Sequence, residues 1–73
     1  MSAEAARVEI TVNGESTTIA RGQTVLDLLH LLEITPDRVA VELNRAIVKQ
    51  SDWAATSLDS GAEVEIVHFV GGG

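Results

Sequence analysis

Residues 8–33 read VEITVNGESTTIARGQTVLDLLHLLE, and two periods lie side by side in that stretch. Over Val8, Ile10 and Val12 the apolar residues alternate with Glu9 and Thr11. That is the period of two of a strand with one buried face. Asn13-Gly14 follows, the dipeptide best suited to a two-residue hairpin turn. Ser16 to Ala20 returns through Thr17, Thr18 and Ile19, which suit a pleated surface. The chain therefore opens with a β-hairpin. Arg21-Gly22-Gln23 breaks the pattern, and Thr24 with Asp27 forms the [ST]-x-x-[DE] start signal of a helix. The Asp27 carboxylate suits the positive end of the helix dipole. Val25, Leu28, Leu29 and Leu32 then fall at i, i+3, i+4 and i+7, one helical face. Leu26 and Leu31 flank it, and Asp27, His30 and Glu33 take the other side. The predicted helix has about ten residues, too few to be stable alone. It must lay its leucine face on a sheet. Ile34-Thr35-Pro36 ends it, because a residue before proline avoids the helical region.

Beyond the helix, Val39, Val41 and Leu43 alternate with Ala40 and Glu42 as a third strand. Asn44-Arg45 is a tight turn, and Ala46-Ile47-Val48 a short fourth strand. Lys49 to Ser60 reads as irregular and holds the one tryptophan, Trp53. Trp53 is expected to cover one end of the core between the fourth and last strands. Ser60-Gly61 is a turn signal. Val64 and Ile66 alternate with Glu63 and Glu65, and the apolar run continues through Val67 and Phe69 to Val70. The chain closes on Gly71-Gly72-Gly73. The order ββαββ, with an irregular crossover before the final strand, predicts a two-layer α+β domain. Its mixed four- or five-stranded sheet packs on one helix, the last strand lies beside the first, and one sheet face stays uncovered. Residues 1–73 form a single domain, with 1–6 and 71–73 expected to be flexible.

Composition narrows the chemistry. A domain of 73 residues buries only about 60% of the surface its unfolded chain exposes. A deep internal active site is not expected. There are no cysteines, which removes disulfides, thiolate nucleophiles and Cys-based zinc sites together. Eleven acids against five bases give a net charge of −6, so nucleic acid is not an expected partner. The ordinary reading of that charge is a soluble acidic surface. The functional one is a field that steers the chain to a basic cleft on a partner. Glu4 stands where a signal peptide needs positive charge, and no stretch approaches the roughly 18 apolar residues of a membrane span. No membrane partner is expected, and the cytosol is the expected location.

The side chains offer little catalysis. His30 reads as a solvated helix residue and His68 as a packed or rim histidine, with no metal-ligand spacing about either. The serines lack a nucleophile-elbow context, and no Walker or dinucleotide glycine loop is present. No metal site and no self-contained enzyme are expected. The tail remains. A terminal glycine run is ordinarily a frayed end. Here it follows the last apolar strand directly. Without Cβ atoms it can thread a narrow channel and take whatever backbone angles a partner imposes. Its carboxylate can be turned into an acyl phosphate anhydride by attack on the α-phosphate of ATP. A sulfur nucleophile can then displace the adenylate to leave a terminal thiocarboxylate. None of this requires a catalytic side chain on the carrier.

At this point the chain resembles the β-grasp family of ubiquitin-like carriers, and within it the thiamine-biosynthesis sulfur carriers. The resemblance spans nearly everything from Val8. It is carried by Asn13-Gly14, by Gly22-Gln23-Thr24-Val25 leading into Leu28-Leu29, and by Val39 to Asn44. Val48, Trp53, Gly61 and the run Val64 to Gly73 complete it. Ala62 departs from the Asp common there. The resemblance implies that Gly73 is the working residue, with Gly71 and Gly72 as its threadable tail. An E1-like adenylyltransferase would activate it. A cysteine desulfurase relay or another donor would supply sulfur, and thiazole synthase would receive it. ATP, Mg2+ and zinc would belong to the partners, with no cofactor bound by this chain.

Strand parity suggests a docking surface. If Val64 and Ile66 face the helix, Val67 and Phe69 point to the uncovered face beside the tail, where Ala40 joins them. Incidental exposure is the bland alternative. A partner contact is favoured because the patch adjoins the tail and Phe is a good anchor. Among rivals, molybdopterin-type carriers tend to be longer, with a proline-bearing segment before the glycines, whereas Phe69-Val70 stands there here. Carriers for cysteine or tRNA thiolation, an inert ubiquitin-like interaction module and a lysine-conjugated modifier are the other readings.

Overall fold

A computed structural model describes residues 6–69. Strands β1 (Arg7–Val12) and β2 (Glu15–Ala20) pair antiparallel with Val12 opposite Glu15. The turn between them is thus Asn13 and Gly14 alone, at φ 50° and 84°. Both angles lie in the left-handed region that Asn tolerates and Gly enters freely. A second turn of the same kind, Asn44-Arg45 at φ 50° and 72°, joins β3 (Val39–Leu43) to β4 (Ala46–Val48). Strand β5 (Glu63–His68) enters the middle of the sheet, parallel to β1 and antiparallel to β3. The order is β2-β1-β5-β3-β4, the mixed sheet with first and last strands adjacent that the sequence predicts.

Helix α1 (Val25–Leu31) covers one face of this sheet. Its Val25, Leu28 and Leu29 are fully buried against Val8, Ile10, Val41, Val64 and Ile66. The helix starts as the Thr24/Asp27 pair predicts. The Asp27 N–H donates to Thr24 Oγ1 at 3.1 Å, and the Thr24 N–H donates to Asp27 Oδ2 at 3.0 Å. The bond from the Thr24 backbone, then that from its hydroxyl, holds the Asp27 carboxyl below its ordinary pKa.

Its end corrects the prediction. The helix has seven residues rather than about ten, and Leu32 is its C-cap, 39% exposed, not a core residue. The Ile34 N–H reaches back to the Leu29 carbonyl at 2.9 Å and the Glu33 N–H to His30 at 3.1 Å. This is the Schellman closure, with Glu33 at φ 58° in the position glycine usually takes. It pulls the half-buried Ile34 onto the core in place of Leu32.

Two further expectations change. The segment read as irregular contains a 3₁₀ helix, Gln50–Ala55, whose Trp53 is buried and donates from Nε1 to the Val48 carbonyl at 2.8 Å. Trp53 is structural as expected, but the 3₁₀ segment that holds it packs beside α1. The chain after it is stitched to the helix start, with the Val25 N–H on Thr56 O and the Leu58 N–H on Gln23 O. The last strand stops at His68 instead of running to Val70, which lies outside the described residues. Ala62 is buried and its carbonyl accepts from the Thr11 N–H at 2.9 Å, so an apolar residue suits the position.

Candidate functional site

The expected working residue Gly73, with Gly71 and Gly72, lies outside the described residues, as do residues 1–5. What the structure does describe is the strand that leads to that tail. Along β5, Val64 and Ile66 are buried while Glu63, Glu65 and Val67 are exposed. Val64 and Ile66 join the core under α1, so the predicted parity holds. Val67 is 52% and Phe69 60% exposed. Ala40 is partly buried and sits directly opposite Val67 across the β3–β5 ladder. The three residues singled out for docking therefore occupy one end of the open face. Phe69 lies one residue past the strand but is pinned there, its N–H donating to the Arg38 carbonyl at 2.9 Å.

The sheet adds a residue that the sequence reading missed. The two-residue Asn44-Arg45 turn fixes Ile47 opposite Glu42, and Glu42 is itself opposite Glu65. Ile47 thus shares the open face and is 68% exposed, the largest value among the exposed large apolar side chains. The signal was available: a two-residue turn sets the register, and register sets the face. The row Ile47–Glu42–Glu65 lies next to the row Ala40–Val67. Two carboxylates directly opposite each other repel, so this face combines apolar knobs with concentrated negative charge.

The rest of the described surface gathers no comparable chemistry. Both His30 and His68 are exposed, so His68 is a rim residue and not a packed one. No group of three or more His, Cys, Asp or Glu that could hold a metal forms among the described residues. A shallow groove of about 380 Å3 at the β2 edge is lined by Ile19, Ala20 and Leu31 with Arg7 and Gln23, without a paired acid and base. Among the described residues no helix is long and apolar enough to cross a membrane.

Comparison with known proteins gives this geometry its context. The family model described as the ThiS family matches residues 7–73. The chain belongs to the ThiS family. A solved structure of the thiamine biosynthesis protein ThiS from Geobacter metallireducens superposes with a TM-score of 0.80 at 35% identity, covering 90% of this chain and all (100%) of that one. The sulfur carrier protein ThiS of Escherichia coli is 29% identical over 66 residues, 90% of this chain and 100% of the relative. A thiazole synthase of Magnetococcus marinus is 39% identical over 66 residues. The chain spans only 20% of that protein's length, and likewise 20% of a second thiazole synthase, from Paramagnetospirillum magneticum. ThiS membership and the Geobacter superposition establish the ubiquitin-like β-grasp fold for the sheet and helix described above.

Proposed function

We propose that this chain is a sulfur carrier for thiazole formation in thiamine biosynthesis, a co-substrate protein and not a catalyst, working in the cytosol. Its reactive group is the Gly73 carboxylate. An E1-like adenylyltransferase supplies ATP and Mg2+, and a carboxylate oxygen attacks the α-phosphorus. Pyrophosphate leaves and an acyl adenylate forms. A persulfide sulfur carried by a cysteine desulfurase relay then attacks the acyl carbon and expels AMP. A thiol cleaves the resulting acyl disulfide, taking the relay's cysteine thiol into a new disulfide and releasing the acyl sulfur reduced. The product is a terminal thiocarboxylate, whose sulfur passes to thiazole synthase. Gly71 and Gly72 give the carboxylate a narrow, adaptable approach. Val67, Phe69 and Ala40, extended by Ile47, form the surface that both partners meet.

The observation that carries this reading is the family match over residues 7–73, which takes in both the β-grasp sheet and the three glycines. The similarity to part of a thiazole synthase chain supports thiazole synthase as the acceptor. The test is ATP–pyrophosphate exchange with the host's thiamine-type activating enzyme, run beside a chain lacking Gly73 and beside the molybdopterin-type activator. Exchange that needs both Gly73 and the thiamine-type enzyme is the expected result. Exchange only with the other activator would move the carrier to another pathway. A folded chain inert with both would leave the open face as the site of an interaction module whose tail does no chemistry.

A further inference from the structure

The hydrogen bonds of β5 alternate between its two neighbours, and on one side the partners run out before the strand does. Toward β3, the Phe69 N–H reaches Arg38 O and the Asn44 N–H reaches Glu63 O, at 2.9 and 2.8 Å. Those bonds bracket the ladder, so Val39 and His68 form a non-hydrogen-bonded pair whose N–H and C=O groups point away from each other. The even-numbered residues of β5 therefore aim at β1. The Ala62 and Val64 carbonyls accept from the Thr11 and Asn13 N–H groups at 2.9 and 2.8 Å.

At Ile66 the β1 backbone has already turned away, and the Asn13 side chain stands in for the next peptide. Its Oδ1 accepts from the Ile66 N–H at 2.7 Å, and its Nδ2 donates to the Ile66 carbonyl at 3.3 Å. His68 is next in the series. It is exposed, and among the described residues nothing accepts from its N–H or donates to its carbonyl on that side. The edge is also unguarded, since no proline or lysine lies between Asp52 and Gly73, the residues that commonly blunt such edges.

We propose that the activating enzyme lays an extended strand against β5 at His68, and so holds the tail by main-chain hydrogen bonds. The inference rests on the carrier reading above and adds how the tail is gripped. Three glycines offer no side chains to recognise, so an enzyme that must place their carboxylate within bonding distance of a phosphorus needs a purchase on the backbone. An added strand supplies one. Its register sets how far the carboxylate reaches, while Val67 and Phe69 give it apolar contacts on the open face. Asn13 acts as the stop that ends internal pairing at Ile66 and leaves the next position to the partner.

The test is amide hydrogen exchange, followed residue by residue on the isotope-labelled full chain with and without the activating enzyme and ATP. Alone, the His68 amide exchanges freely while those of Ile66 and Phe69 are protected. In the complex, His68 exchange slows about tenfold or more, equivalent to about 1.4 kcal/mol of pairing. A parallel measurement compares His68→Pro with His68→Ala in pyrophosphate exchange. Proline removes the N–H without costing a ladder bond, and the residue before it stays extended as Val67 already is. The expected result is a KM about tenfold higher for the proline chain than for the alanine chain. Equal KM values for two folded variants would overturn the proposal, as would free exchange at His68 within a formed complex. Concentration-dependent protection of His68 in the isolated chain would also overturn it, by giving the edge to a second copy. If His68→Pro does not fold, the exchange measurement decides alone. A wild-type chain that neither binds nor supports exchange would remove the carrier reading itself.

Discussion

At Asn13 one side chain serves a turn and a strand at once. The residue sits at φ 50°, which Asn tolerates better than most residues, and its amide closes on both polar groups of Ile66. Replacing it by Ala would leave the Ile66 N–H unpartnered and would place a Cβ-bearing residue without local hydrogen bonds in the left-handed region. Asn13→Gly separates the two effects, because it keeps the turn and removes the clasp. We expect Asn13→Gly to lose about 1–3 kcal/mol in chemical denaturation; an unchanged midpoint would mean the clasp adds no net stability. Phe69 makes the opposite case. It is 60% exposed and its fold contact is a backbone bond, which a side-chain change leaves in place. Phe69→Asp should keep the melting temperature and raise the KM for activation, and a chain that unfolds instead would place Phe69 in the core. The turn at Asn13-Gly14 was legible in the sequence because the dipeptide is local chemistry. The clasp was not, since its partner lies 53 positions away and only the closed sheet brings the two together.

Element α1 shows how far local signals reach. Its start could be read because Thr24 and Asp27 are neighbours in sequence and satisfy each other's backbone. Thr24→Ala should cost about 1 kcal/mol, measured by denaturant midpoint. The cap also sets a pH dependence. Asp27 has its pKa lowered in the folded chain from an ordinary 3.8. The unfolded chain therefore takes up a proton first as pH falls, so the stability that the ionised carboxylate confers is complete above about pH 4. It is lost as pH drops through the folded value. Asp27→Asn should flatten that part of the acid-unfolding curve, and an unchanged curve would assign the loss to other carboxylates. The end of the helix was not legible. Leu32 fits the apolar period as well as Leu28 does, and nothing local marks Glu33 as the left-handed residue. The Schellman closure wins because it buries part of Ile34 and returns two N–H groups to the last turn. Likewise, Gln50–Ala55 gave no periodic signal, because a 3₁₀ turn is too short to repeat one. Its position is set by Trp53 finding Val48.

Over the whole molecule, charge and shape point to the same face. The chain carries a net charge of −6, and Glu42 and Glu65 stand directly opposite each other on the side that α1 leaves open. Folding alone would gain by removing one of them, since like charges across a ladder are unfavourable. A basic partner cleft offers a use for the pair: it accelerates encounter and sets orientation. The two effects have opposite signs and can be separated in one variant. Glu65→Gln should raise stability by a few tenths of a kcal/mol up to about 1 kcal/mol. The same change should slow association with the activating enzyme while leaving the dissociation rate nearly unchanged. Raising ionic strength from about 0.01 M to 0.15 M shortens the screening length from about 30 Å to about 8 Å. It should slow the wild-type chain more steeply than the variant. Stopped-flow association at several salt concentrations gives both slopes. Parallel slopes would mean that the carboxylate pair lies outside the encounter surface, and docking would then fall to Val67, Phe69, Ala40 and Ile47 through apolar contact alone. A shallower slope for Glu65→Gln would make the pair a steering device kept against the chain's own stability.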